Sequence, residues 1–238
     1  MLTKIKLEGV DLEKLRAEHE SALSKMNQLT KEEIWLEERK ELFTASDFSR
    51  LMGYEEKDEF PDGAITYVTE KVLEIVTIQN EEKKQLNTQS VNHGKNTEVE
   101  AMIEFMKKFD VVVYNYGDEQ EFKKLGDHIG CTPDGLIGND GGAETKCPDS
   151  KTHLDYLENL TLDNFKKSCK DYYWQIQGSM YITGRKYWYF ISYDPRFKKE
   201  EKRLFVLKIQ RNDFDIKKLE KRLTEAIRRK IQRLKAFE

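Results

Sequence analysis

The sequence predicts an α/β (α+β) protein in which helices flank a central mixed β-sheet, with a helical arm at the N-terminal end. Three observations carry this. Up to about Asp110 the apolar residues recur mainly at helical spacing. From Val111 to Gln210, short runs rich in valine, isoleucine and aromatics alternate with glycine or charged turns. One helical stretch interrupts those runs, and a second, strongly basic one follows them. Layered helices on a sheet are the compact solution for such a pattern. With 238 residues, 38% hydrophobic and 36% charged, the chain has enough apolar side chain for one large domain, and wholesale disorder is excluded.

Residues 1–30 are read as the arm and 31–238 as the main domain. In the arm and just beyond it, DLEKLRAEHESALSKM places Leu12, Leu15 and Leu23 near helical spacing, and Thr30 with Glu33 forms a capping box that opens KEEIWLEERKEL. A short helix is expected from near Thr44, through Asp47 and Phe48, to a stop at Gly53. From Ala64 to Ile78 a helix is predicted with Ile65, Val68, Val72, Ile75 and Val76 facing inward, followed by a polar connection, EEKKQLNTQS. Lys95 to Phe109 reads as helix again, with Val99, Met102, Ile103 and Met106 inward.

Strands are then expected in VVVYNY, in FKKLGDHIGCTPDGLIG, in GGAETKCP, in KYWYFISY and in RLFVLKIQ. A helix from about Leu162 to Thr183 separates the third run from the fourth, and a basic amphipathic helix spans Asp213 to Phe237. No repeat or low-complexity segment is apparent.

The net charge of −3 is unevenly spread: from Lys31 to Phe60 acids outnumber bases about two to one, whereas bases dominate from Lys217 to Lys235. No run approaches the roughly 18–20 apolar residues of a bilayer span, and the first residues lack the apolar stretch of a signal peptide, so a soluble, cytoplasmic protein without a membrane partner is expected. Cys131, Cys147 and Cys169 form no CxxC pair and are expected as free thiols, and the histidines show no zinc-ligand spacing.

The chemistry concentrates in CTPDGLIGNDGGAETKCP. Asp134 ends one strand at a Pro-Asp-Gly turn, a glycine-rich hairpin follows, and Glu144 and Lys146 lie two apart on the next strand, hence on one face. Folding of the hairpin brings Asp134 to Glu144, so two carboxylates and an ammonium converge. An oxygen-only ligand set suits a hard divalent ion, magnesium or manganese, which engages phosphates and polarises a phosphate oxygen. Phosphodiester hydrolysis is the reaction this set fits best. The plainer alternative is that Asp134 makes a turn while Glu144 pairs with Lys146 on a solvated strand.

The pair Pro133-Asp134 followed by Glu144-Thr145-Lys146 resembles the signature of the PD-(D/E)XK nuclease superfamily. The segments GKNTEVEA, CTPDGLI, ETKCP and YYWQIQGSMYITGRKYWYFISYDPR, in chain order, resemble the lambda-exonuclease (YqaJ-type) viral recombinase family over about residues 35 to 210. The resemblance implies a restriction-endonuclease-like core and a metal-dependent 5′-to-3′ exonuclease that trims one strand of duplex DNA to leave a 3′ overhang. It implies that Glu98, Asp134 and Glu144 are carboxylate ligands to Mg2+, two ions per site with Mn2+ able to substitute, and that the carbonyl of Thr145 joins them. Lys146 then aids the nucleophilic water, and Gln175 and Tyr172 stand beside the site. Glu98 is singled out by the resemblance alone, and periodicity does not distinguish it from Glu100 or Glu104.

The family's phosphate-binding helix corresponds to TASDFSRLMG, which gives Ser46 and the upstream Arg39 the 5′-terminal phosphate. A helix cap is the other reading of Ser46. Thr132 stands where the family uses a hydroxyl near that pocket, and Lys151 lies near the place of a family arginine. The resemblance further implies duplex DNA ends as substrate, a homotrimer and a single-strand annealing protein as partner. A same-fold endonuclease and a non-catalytic DNA-end-binding module remain the alternatives. The basic C-terminal helix reads as solvated surface or as a DNA contact, and Gln177, on an otherwise apolar helix, as a hydrogen-bonded buried side chain or a solvent contact, with core the plainer reading of Tyr172.

Overall fold

The computed structural model describes residues 30–78 and 88–237. The expected helix over 11–26, most of the arm, and most of the polar connection lie outside the described residues. The chain divides into two units, Met1–Lys40 and Glu41–Glu238.

In the first unit, α1 (Lys31–Arg39) opens on the capping box read from the sequence: the Glu33 amide donates to Thr30 Oγ1 at 3.2 Å, and Glu33 Oε2 accepts from the Thr30 amide at 2.8 Å.

The second unit begins with the two-residue strand β1 (Phe43–Thr44) and a 3-10 helix, Ala45–Met52, which buries Ala45, Phe48, Leu51 and Met52 and ends at Gly53, as expected. Next come α2 (Asp62–Val76) and α3 (Thr88–Phe109). The sheet region follows with β2 (Lys123–Leu125), β3 (Ile129–Cys131), β4 (Gly135–Ile137) and β5 (Gly141–Lys146). Three helices, α4 (Ser150–Asn159), α5 (Leu162–Ser168) and α6 (Lys170–Thr183), lead to β6 (Tyr187–Tyr193), β7 (Leu204–Gln210) and α7 (Asp213–Leu234).

The central mixed sheet has the order β4-β5-β6-β7, with β5 and β6 parallel and both outer pairs antiparallel. A smaller sheet, β1-β3-β2, lies apart from it in hydrogen bonding. The parallel β5–β6 pair requires a crossover, which α4, α5 and α6 supply. The core fills between the 3-10 helix, α6 and the strands, with Phe43, Phe48, Trp174, Trp188 and Phe190 fully buried. A second cluster, around Met102, Phe105, Ile191 and Tyr193, seats α3 on the sheet.

Several elements differ from expectation. The run VVVYNY forms no strand and makes a single antiparallel bridge, Tyr114 to Leu136, because Asn115 and Gly117 turn the chain through left-handed conformations at φ 54 and φ 61. The expected helix over Leu162–Thr183 breaks at Cys169, whose backbone (φ −127, ψ 53) starts α6 in a new direction. Helix α4 was not expected at all; its N-cap Asp149 accepts from the amides of Lys151 and Thr152. Helix α2 buries Ala64, Tyr67, Val68 and Val72, while Ile65 and Ile75 face out. Tyr67 sets that rotation: its hydroxyl accepts from the Thr44 amide at 2.9 Å and its ring meets Phe43 edge-on at 5.1 Å. On α3, Met102 is buried as expected, but Ile103 is exposed.

The two charge asymmetries of the sequence meet. Lys218 pairs with Glu56 and Lys221 with Asp58, while the buried Arg222 donates to the carbonyls of Lys57 and Glu59. Part of the basic face of α7 thus neutralises an acidic loop of its own chain. Gln177, for which a solvent contact was one of two readings, is fully buried: its amide donates to the Gln210 carbonyl and its carbonyl accepts from the Asn212 amide, both at 2.9 Å.

Candidate active site

The β4–β5 hairpin builds the site by arithmetic. Gly135 pairs with Ala143, so Asp134, one residue before β4, stands opposite Glu144 on β5. The backbone amide of Thr145 donates to Asp134 Oδ2 at 2.7 Å, and the amide nitrogen of Gln120 donates to Oδ1 at 3.3 Å. Each carboxylate oxygen of Asp134 is therefore held by a different donor.

Glu144 is 1% exposed. Its Oε1 accepts from Lys146 Nζ at 2.6 Å, as period-two alternation along β5 requires, and from the Gln175 amide at 2.6 Å. Its Oε2 is buried with no hydrogen-bond partner among the described residues. The Lys146 ammonium lies 5.1 Å from the ring centroid of Tyr172, one turn before Gln175 on α6, and that ring stacks on Phe190 at 5.5 Å. Asp134, Glu144, Lys146, Gln175 and Tyr172 are thus brought together.

Electrostatics mark the same place. Burial, then the neighbouring Asp134, pushes the Glu144 carboxyl up to about 8, with the charge of Glu98 on α3 adding to the rise. Burial likewise raises Asp134. The Lys146 ammonium is raised despite its burial, because both carboxylates favour its charge. The Cys147 thiol, next along the chain, is pushed up to about 12 by burial and then by Glu98 and Asp134. Glu98 therefore stands close enough to be felt at Glu144. Without a cation Glu144 therefore keeps its proton at neutral pH, and its ionised form lacks a compensating positive charge.

Among the described residues, no three His, Cys, Asp or Glu side chains are arranged to hold a metal ion by themselves. What the site offers is a carboxyl pair, a buried oxygen on Glu144 without a partner among the described residues, and an ionised form of that pair that lacks compensating charge. Those features fit a hard cation completed by water and substrate oxygens, the usual condition of magnesium at phosphate-processing sites.

Ser46 sits in the first turn of the 3-10 helix, with its hydroxyl 3.2 Å from Thr44 Oγ1 and 3.4 Å from Asp47 Oδ2. Thr44, not Ser46, occupies the cap position, and it makes no side-chain capping bond. Thr132 is half-buried between β3 and β4, and Lys151 is exposed in the first turn of α4. Arg39 belongs to the first unit, where its guanidinium lies 4.1 Å over the Trp35 ring. One residue that reaches the site was missed: Gln120, in an irregular segment without periodicity.

Residues 34–186 match the YqaJ-like viral recombinase domain. No curated protein matches the chain. Among solved structures, the alkaline exonuclease LHK-Exo of Laribacter hongkongensis is 24% identical with a TM-score of 0.69, covering 86% of this chain and 95% of its own. The same enzyme in complex with dAMP gives 23% identity, a TM-score of 0.66, and coverage of 84% and 92%. A phage-related exonuclease from Haemophilus somnus 129PT is 16% identical with a TM-score of 0.64, covering 83% of this chain and 96% of its own. At these identities the likeness establishes the fold, a mixed sheet flanked by helices that this chain shares with those structures. Because the matched region spans more than half of the sequence and contains the whole Asp134–Glu144–Lys146 constellation, the chain belongs to the YqaJ-like viral recombinase domain family.

Proposed function

We propose that this protein is a metal-dependent deoxyribonuclease that degrades duplex DNA from its ends in the 5′-to-3′ direction and leaves 3′ single-stranded overhangs. The observation that carries the reading is the convergence of Asp134, Glu144 and Lys146, with Gln175 donating to the same Glu144 oxygen as Lys146, both at 2.6 Å. Family membership and the exonuclease relatives support it, and one of those relatives was crystallised with dAMP.

Asp134, Glu144 and the Thr145 carbonyl would hold Mg2+, or Mn2+ in its place, with Glu98 the carboxylate for a second ion. Bound there, the metal supplies Lewis-acid polarisation of the scissile phosphate and charge to balance its transition state. The chain's own residues do the rest. Gln175 and Lys146 fix the orientation of Glu144, Tyr172 backs the Lys146 ammonium, and Lys146 orients the attacking water and carries positive charge toward the phosphate. The raised basicity of Lys146 favours a positioning cation over a general base in the metal-free site. Arg39, Ser46, Thr132 and Lys151 are assigned to the 5′-terminal phosphate and adjoining DNA. A cytoplasmic homotrimer around DNA, working with a single-strand annealing protein, is the assembly expected. Among the described residues no helix is long and apolar enough to cross a membrane.

The test is digestion of a linear duplex with distinct 5′ and 3′ labels, bearing 5′-phosphate or 5′-hydroxyl, with and without Mg2+, alongside Lys146→Ala. Early release of nucleotide from the 5′ label, faster with phosphate, is expected, and the variant should release none. Internal fragments, or cutting of closed circular DNA, would replace the end-dependent reading with an endonuclease. Binding without cleavage would leave only an end-binding module.

A further inference from the structure

We propose that Gln120 is a positioning residue for the Asp134 carboxylate, holding it in the orientation that binds the divalent ion; the inference rests on the reading of this site as a metal-dependent nuclease centre. Asp134 stands one residue outside β4, where the ladder no longer fixes it. Its Oδ2 is held by a backbone donor, the Thr145 amide at 2.7 Å. That single bond leaves the carboxylate free to turn about it. The Gln120 amide at Oδ1 supplies the second point and so fixes the plane of the group.

The segment that carries Gln120 is itself anchored. At one end Tyr114 exchanges both backbone hydrogen bonds with Leu136 of β4, at 3.0 and 2.9 Å. In the middle, Gly117 adopts φ +61 and lies so close to α3 that an added Cβ would fall 2.9 Å from Val99 Cγ2. Val99 directly follows Glu98. Just beyond, the Gln120 amide donates to the Gly117 carbonyl at 3.3 Å. Residues 114–120 are thus fastened to the strand that follows Asp134 and to the helix that bears Glu98. Gln120 is the side chain through which that brace reaches a ligand. Donors of this kind around metal-binding carboxylates commonly tune affinity strongly.

The experiment is calorimetric titration of the full chain, stripped of metal, with MnCl2 in the absence of DNA. Wild type is compared with Gln120→Met, which keeps the bulk and loses the donor, with Gln120→Ala, and with Asp134→Ala. We expect both Gln120 variants to bind Mn2+ about tenfold more weakly. Their melting curves in chelator should match wild type, and their nuclease rate should recover at high Mg2+ as the half-saturating concentration rises. Gln120→Met decides the matter if the alanine variant folds poorly. Wild-type Mn2+ affinity in Gln120→Met, together with loss of binding in Asp134→Ala, overturns the role of Gln120 and leaves the metal site standing. Unchanged binding in Asp134→Ala overturns the site, and the positioning role with it.

Discussion

Replacing Glu144 by glutamine should stabilise the metal-free protein at alkaline pH while abolishing cleavage. Glu144 is buried beside Asp134, with one ammonium between them, and its carboxyl is raised from an ordinary 4.5 to about 8. Between those values the unfolded chain gives up a proton that the folded protein keeps. The stabilisation from the raised group is therefore complete below about pH 4.5 and is lost as pH rises through about 8. The two limits differ by about 3.5 pH units, which at about 1.4 kcal/mol each sets a ceiling of about 5 kcal/mol. Relaxation of the site and entry of water around the newly ionised carboxylate recover part of this, so about 2 kcal/mol is the expected difference at pH 8, or about 4–8 °C in Tm.

The assay is thermal and urea denaturation of wild type and Glu144→Gln in chelator, at pH values from 5 to 8. The two proteins should have similar stability near pH 5, where the folded wild type carries a neutral carboxyl, and the variant should lead increasingly toward pH 8. Excess Mg2+ should then raise wild type by about 2.7 kcal/mol at a hundred times Kd and leave the variant nearly unchanged. A stability difference that is flat with pH, or that favours wild type more as pH rises, would refute the reasoning. Such a trade, stability surrendered for a charged site, is what a site built to receive a cation should show.

Two further outcomes follow from features outside the site. His153 is fully buried, and its Nε2 must carry the proton it donates to the Lys202 carbonyl at 2.9 Å, leaving Nδ1 to accept from the Ser192 hydroxyl at 2.7 Å. Burial holds it below the usual histidine range against the pull of Asp194, so wild type should lose stability as pH falls below about 6.5, by up to about 1.4 kcal/mol per pH unit. Urea titrations should show this component missing from His153→Gln, and an unchanged slope would contradict it. In the sheet, a Cβ on Gly142 would lie 2.4 Å from the indole of the fully buried Trp188, its register partner on β6. Gly142→Ala should cost about 3 kcal/mol in urea denaturation, and a loss under 0.5 kcal/mol would show that the indole moves aside.

What could be read from the sequence was local arithmetic. The turn at Gly138 and the start of β5 at Gly141 place residue 134 opposite residue 144, so the carboxylate pair follows from counting along one hairpin. The Thr30–Glu33 box was equally local, two side chains three apart closing on each other. Features decided by distant partners were not legible. VVVYNY has strong β propensity, but Tyr114 alone of the run pairs with a strand residue, so propensity yields a bridge instead of a strand. The inward face of α2 was misjudged because Tyr67, a polar aromatic in a row of aliphatics, is drawn inward by the Thr44 amide. Helix α4 hides its buried row behind a histidine, since His153 and Tyr156 replace the aliphatics that usually announce a helix, although Asp149 as a cap was there to be seen. Gln120 is the extreme case, an ordinary polar residue in an irregular turn whose significance lies in reaching Asp134, fourteen residues away. The site is thus half written in one hairpin and half assembled by contacts from α3, α6 and the 114–120 segment. Substitutions in that second half should alter how the carboxylates are held and leave the hairpin's own register intact.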